Sequence, residues 1–167
     1  MLKIVKSVSE LNTAQFLAVY AESVRKKAQV CYRDFSENQQ IDWAEGDLLT
    51  YLREDFFRQR DAFCAMWLID GIYISGLQIE AYRDGVLLHA LETAPDARRN
   101  GYAYELVTAV LEYLRQEKCV NVYSHIHKRN KPSLRLHEKC GFQKISDSAV
   151  YIDGTVTQNS YTMMLRL

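Results

Sequence analysis

Arg98-Arg99-Asn100-Gly101-Tyr102-Ala103 joins an extended run to a long amphipathic helix, and the reading of this stretch decides the fold. It sets a flexible residue, Gly101, and a small one, Ala103, where a strand passes into a helix start. The first N–H groups of a helix have no partner within it and converge beside the positive end of its dipole. Such a turn is an anion site suited to a diphosphate. Before it, residues 86–91 are rich in β-branched and aliphatic side chains. After it, Tyr102, Ala103, Leu106, Val107, Val110, Leu111 and Leu114 recur at helical spacing. Residues 119–126 then alternate, with Val120, Val122 and Ile126 set against polar neighbours. The three segments read as one βαβ unit.

Working outward, residues 2–7 read as a strand. Asn12 or Thr13 then caps a helix expected to run to about residue 28, with Phe16, Leu17, Tyr20 and Val24 at helical spacing. A second helix is expected over 43–58, burying Leu48, Leu49, Leu52 and Phe56. Asp70-Gly71, Asp84-Gly85 and Asp153-Gly154 suit two-residue hairpin loops, in which both central residues take positive φ. Strands at 63–69, 72–81 and 86–91 therefore form an antiparallel meander that runs into the Arg98–Ala103 turn. A short helix starts near Pro132 and stops at Gly141, with Phe142 as the apolar residue of its cap. Residues 149–167 read as a final hairpin. The order is β-α-α-β-β-β-α-β-α-β-β, an α/β (α+β) mixed sheet covered by helices.

The 167 residues are most simply one domain, 1–167, large enough for a substantial core. Lys+Arg and Asp+Glu both number 21, a balance that argues against a nucleic-acid or membrane-surface binder. The four cysteines form no CxxC pair and the four histidines complete no zinc pattern, so no metal is expected. His125 and His127, two apart on one strand face, are a weak metal signal only. Residues 1–11 have no long apolar region and no run is long enough to span a membrane, so a cytoplasmic protein with reduced thiols is expected.

A dinucleotide fold would place three glycines in the turn and an acidic residue about twenty positions on, whereas only Gly101 is present. A P-loop would need Gly-Lys-Ser/Thr, which the chain lacks. What remains is Arg-x-x-Gly-x-Ala at Arg98 to Ala103, preceded by Leu91-Glu92-Thr93-Ala94-Pro95. Asn130 follows, and then Glu138-Lys139-Cys140-Gly141-Phe142. In these features the chain resembles the GNAT superfamily of N-acetyltransferases, most strongly over residues 86–142.

The resemblance implies a mostly antiparallel central sheet flanked by helices, and acetyl-CoA as cosubstrate. It implies that backbone groups of Leu91, Glu92 and Thr93 pair with the pantetheine arm like an added strand, which requires an unpaired edge there. It implies that N–H groups of Arg99, Asn100, Gly101, Tyr102 and Ala103 hold the diphosphate, with Arg98 adding charge. Asn130 would bond the pantetheine arm; its alternative role, which can coexist with that one, is to cap the helix that follows it. Where the family usually carries a Tyr that protonates the departing thiolate, this chain has His137. It is either an imidazolium acid or a neutral packing or hydrogen-bonding residue. Tyr123 and Tyr102 are substitutes without motif support. Glu92 stands where several members carry a carboxylate that acts as general base, directly or through a water. Cys140, at a helix end, reads as core and not as a nucleophile.

The acceptor is least legible. Asp34, Glu37, Asp42, Glu45 and Asp47 lie in a stretch without Lys or Arg, either a lure for a cationic amine or a solvated acidic loop. Tyr32, Phe35 and Trp43 are candidate cation–π walls. Lys128, Arg129, Lys131 and Arg135 would favour the 3′-phosphate of CoA or merely solubilise a helix start. The expected function is acetyl transfer to a primary amine of a small molecule or protein, by direct attack in a ternary complex. The alternative is a non-catalytic acyl-CoA-binding or regulatory domain. A homodimer is left open.

Overall fold

Alternation along the strands sorts the apolar side chains onto two faces of a sheet, and each face buries its own cluster. The computed structural model describes residues 1–167. In chain order it forms β1 (Leu2–Val5), α1 (Thr13–Val19), α2 (Ala21–Cys31), α3 (Glu37–Glu54) and β2 (Phe63–Ile69). Then come β3 (Ile72–Tyr82), β4 (Gly85–Thr93), α4 (Tyr102–Gln116), β5 (Asn121–His127) and α5 (Lys131–Lys139). The chain ends with β6 (Gln143–Ser146), β7 (Ala149–Val150), β8 (Val156–Thr157) and β9 (Ser160–Arg166). Seven strands make one sheet in the order β1-β2-β3-β4-β5-β9-β6. Every neighbouring pair is antiparallel except β4 and β5.

On one face Ala65, Leu77, Ile79, Leu88 and Val122 pack under Leu106, Val107, Val110 and Leu114 of α4. On the other, Cys64, Met66 and Leu68 meet Phe16, Val19 and Tyr20 from α1 and its end, with Leu52 of α3 and Phe56 just beyond it. The parallel ladder runs only from Gly85↔Asn121 to Leu88↔Ser124. It stops because β4 bulges. Gln78 pairs with His89 and Gly76 with Glu92, so Ala90 and Leu91 of β4 face the single residue Leu77 of β3. Ala90 sits at φ +49°, a left-handed conformation that costs a non-glycine residue about 1–2 kcal/mol. From His89 onward β4 turns away from β5, and its edge on that side has no strand beside it.

Four features differ from the sequence expectation. The first helix is an elbow of two, bent at Tyr20 (φ −92°, ψ 10°). There the buried ring stacks on Phe16 at 4.4 Å and the hydroxyl donates to the Ala90 carbonyl at 2.9 Å. The second helix starts at Glu37, six residues earlier than the apolar pattern suggests, because Ser36 and Gln39 cap it. Gln39 Oε1 accepts from the Ser36 N–H at 3.3 Å. At Asp84-Gly85 the positive φ falls instead on Arg83, while Gly85 already pairs in β4. Finally, the tail is not one hairpin: β6 and β9 join the main sheet, and β7 and β8 form a two-stranded ribbon between them.

Glycine at position 85 answers a close approach, since a Cβ there would lie 2.0 Å from the Asn121 carbonyl oxygen. Gly85→Ala is expected to destabilise the protein by about 2–3 kcal/mol in denaturant titration, because the obstacle is backbone. Gly46, exposed within α3 with nothing near its would-be Cβ, is the control. Gly46→Ala is expected to stabilise by about 0.8–1 kcal/mol.

Candidate active site

Three cavities border the free part of β4. A cleft of about 620 Å³ lies between the end of β4, the turn into α4 and the start of α5. A second, about 320 Å³, fills the parting between β4 and β5. A third, about 360 Å³, opens on the opposite face beneath α2 and α3. Leu91 and Asn130 border the first two, His89 and Ala90 the last two, and Glu92 the first and third. The set is continuous around one strand, and each volume is in the range of ligand pockets or close to it.

The first cleft collects most of the residues expected at a donor site. Leu91, Glu92 and Thr93 line it from β4, and Asn130 from α5. Arg98, Arg99, Gly101, Tyr102 and Ala103 line it from the turn. Arg99 (φ +66°) and Gly101 (φ +85°, ψ −4°) take left-handed conformations, and Gly101 is the N-cap of α4. The turn therefore offers successive N–H groups at a helix start. Asn100 is not in the cleft wall: its Nδ2 donates to the carbonyls of Ala97 (3.1 Å) and Arg98 (3.3 Å), which ties the turn together. Asn130 does cap α5, with Oδ1 accepting from Ser133 N at 3.3 Å, while also bordering the cleft.

The charged side chains are less free than the sequence implied. Arg98 donates through Nε to the Thr93 carbonyl at 3.1 Å and through Nη1 to Glu22 of α2. Its Nη2 lies 3.7 Å from Glu92. The Glu92 carboxylate also accepts from the Ser23 hydroxyl. Glu22 and Lys26 thus belong to the cleft, paired to each other at 2.6 Å. No motif marks them, because α2 reaches β4 only through the tertiary fold. Lys128, Arg129, Lys131 and Arg135 are absent from the cleft wall, and Lys128 lies over the Tyr161 ring at 5.1 Å.

His137 lies at the parting of β4 and β5, 2% exposed, with its ring edge-on to Phe142 at 5.0 Å. Its Nδ1 donates to the Ser133 carbonyl at 2.9 Å, a tautomer assigned from the contact. Burial pushes its pKa below the ordinary histidine value, and the bond to Ser133 opposes this only in part. The ring is thus neutral at pH 7, which favours the hydrogen-bonding reading over the imidazolium acid. Cys140 has its thiol pushed up by burial, as suits a packing residue.

The acidic stretch does not face the third cavity. Glu37, Asp42 and Glu45 border a separate surface groove with Arg25, and Asp47 is held by Lys27 (2.9 Å) and the Tyr32 hydroxyl (2.5 Å). Tyr32, Phe35 and Trp43 pack edge-on to one another at the surface. The third cavity is walled instead by Tyr20, Ser23, Leu48 and Tyr51, with Gln78 and His89 at its floor. On this same sheet face His89 Nε2 comes within 3.0 Å of Glu80 Oε1, a short ion-pair contact without good hydrogen-bond alignment. His125 has both ring nitrogens buried without a hydrogen-bond partner. His127 Nδ1 accepts from Arg129 N at 3.1 Å. Sequence reading missed His89 and Glu80 because their only signal was the alternation that puts both on one sheet face.

A mixed sheet that parts between its two parallel strands, with a helix N-terminus beside the parting, thus frames the site. The chain belongs to the acetyltransferase (GNAT) family, which it matches over residues 23–142. An acetyltransferase from Streptococcus agalactiae has the same fold, with a TM-score of 0.65 at 17% identity over 99% of this chain and 98% of that one. The PaiA N-acetyltransferase of Thermoplasma acidophilum, solved in complex with coenzyme A, has a TM-score of 0.62 at 15% identity over 100% and 99%. The ribosomal-protein-S18-alanine N-acetyltransferase of Escherichia coli has a TM-score of 0.59 at 17% identity over 99% and 94%. No curated protein matches the sequence.

Burial depresses the pKa of both His137 and His125 from 6.5. Unfolded, these rings take up protons as pH falls through about 6.5; folded, they do so only lower. Stability is therefore expected to be full above that range and to fall below it. Thermal melts at pH 7.5 and 5.5 measure the loss, and His137→Gln is expected to shrink it.

Proposed function

We propose that the protein transfers an acetyl group from acetyl-CoA to the primary amine of a small molecule, by direct attack in a ternary complex. The carrying observation is the free edge of β4 from His89 to Thr93. It ends at an anion-binding turn on one side and borders a separate cavity on the other. The pantetheine arm has a strand edge to pair with, and the diphosphate has the N–H groups from Arg99 to Ala103. Asn130 borders both the cleft and the parting, where it would meet the arm. The thioester carbonyl would lie at the parting, where a β4 N–H stabilises the developing oxyanion. The coenzyme A seen with the Thermoplasma relative supports this choice of donor.

The third cavity supports a small acceptor, since its volume of about 360 Å³ matches a small amine. Glu92 borders both donor and acceptor spaces. Held by Ser23 and Arg98, it acts first as a fixed negative charge that attracts the ammonium. As a base, directly or through a water, it would first have to loosen those contacts. As a neutral ring with Nδ1 bonded to Ser133, His137 offers Nε2 as a hydrogen-bond acceptor at the parting. With no acid there, the thiolate leaves as such and takes its proton from water. No helix is long and apolar enough to cross a membrane, and the four cysteines are unpaired. We read the setting as cytoplasmic.

Thiol release from acetyl-CoA with a panel of small amines and peptide N-termini separates this enzyme from a non-catalytic CoA-binding domain. The expected result is release with small amines; tight CoA binding without release on any amine would establish the binding domain. Gly101→Val is expected to weaken CoA binding about 10-fold by calorimetry, as its φ of +85° costs a branched residue about 1–2 kcal/mol. Glu92→Gln is expected to raise the amine KM by about 10-fold while CoA affinity stays within about threefold.

A further inference from the structure

Glu80 is a carboxylate only 6% exposed, in a site that supplies no lysine or arginine partner. A buried charge needs a counter-charge or a proton. The one basic group within ion-pair distance is His89, across the β3–β4 hairpin, with Nε2 at 3.0 Å. The register explains the pair: Gln78 lies opposite His89 and Glu80 opposite Leu87, so Glu80 and His89 are diagonal neighbours on one face. The His89 ring also meets the Phe56 ring edge-on at 6.0 Å.

Its place matters as much as its partner. His89 is the first β4 residue beyond the parallel ladder. It borders both the parting, where the thioester would sit, and the acceptor cavity. Nε2 is buried against Glu80, so a proton held there leaves Nδ1 as the ring's acceptor. The side chain keeps 24% of its surface exposed. The two other titratable candidates are engaged elsewhere, Glu92 by Ser23 and Arg98, and His137 by Ser133.

The geometry points to His89 as the general base that takes the proton from the acceptor ammonium, with Glu80 as the positioning residue whose carboxylate, beside Nε2, balances its charge. The assignment rests on the acetyl-transfer reading above. His89 Nδ1 accepts one N–H proton from the ammonium, and the freed amine lone pair attacks the thioester carbon. The C–N bond forms and the C–S bond breaks. The second N–H proton passes to water, the departing thiolate takes one up from water, and imidazolium His89 returns its own to solvent. The titratable groups around it are Glu80 on β3, Glu92 on β4, His125 and His127 on β5, His137 on α5, Lys27 on α2, Tyr51 on α3, Tyr20 at the elbow and Tyr151 after β7.

The test is steady-state thiol release across pH for wild type, His89→Gln, Glu80→Gln and Glu92→Gln, with CoA affinity by calorimetry for each. His89→Gln is expected to lower kcat at least 100-fold with CoA affinity within threefold. Its residual rate should rise with pH as free amine accumulates, without the wild-type acid limb. Glu80→Gln should lower kcat and move that limb, with the amine KM unchanged; Glu92→Gln should change KM and leave the limb in place. A wild-type limb and kcat in His89→Gln would overturn the assignment and leave acetyl transfer standing. Should His89→Gln fail to bind CoA, the isosteric Glu80→Gln decides: an unmoved limb overturns the assignment and a moved one supports it. A wild-type protein that binds CoA and acetylates no amine would sink the acetyl-transfer reading, and the base with it.

Discussion

The hydrogen bond from the Tyr20 hydroxyl to the Ala90 carbonyl sits at the point on which the site depends. Ala90 occupies a left-handed conformation that an alanine does not choose, and the bulge there is what ends the ladder between β4 and β5. Burial holds the Tyr20 phenol well above its ordinary pKa, so it stays a donor throughout the accessible pH range. The same residue bends the first helix into two. One buried tyrosine thus couples the parting of the sheet to the placement of α2. That helix in turn brings Glu22, Lys26 and Ser23 to the end of β4.

The two sheet faces carry different duties. Beneath α4 the core is apolar, and its contribution is the burial of Leu, Val and Ile surface. The opposite face buries Gln78 and Glu80 among its hydrophobic residues. Such groups stabilise little and are costly when unpaired. Glu80 has His89 Nε2 within 3.0 Å, close to where β4 leaves β5. Gln78 and His89 lie at the floor of the third cavity on this face.

The donor half of the site was legible because its signals are local. Helical spacing from Tyr102 to Leu114, one glycine at a helix start and an asparagine cap at 130 are each written within a few residues. The acceptor half was not. Five carboxylates between Asp34 and Asp47 read equally as a lure for a cationic amine or as a solvated acidic loop, and the capped start of α3 turns Glu37, Asp42 and Glu45 toward a surface groove. The cavity that faces the parting is walled by residues from α2, α3, β3 and β4, which share no sequence pattern. Gly85 shows the same limit in the fold. Its Asp-Gly signal predicted a turn glycine, whereas its role is to let the Asn121 backbone approach.

By itself the sequence determined the antiparallel meander, the βαβ unit with its helix-start turn and the mixed sheet, because periodicity and helix-start chemistry act over one or two turns of chain. The tertiary structure decided where β4 leaves β5, which charges reach its end, and that Glu80 meets His89. These depend on a one-residue bulge and a hairpin register. A shift of one residue in either would turn the same side chains to the other face.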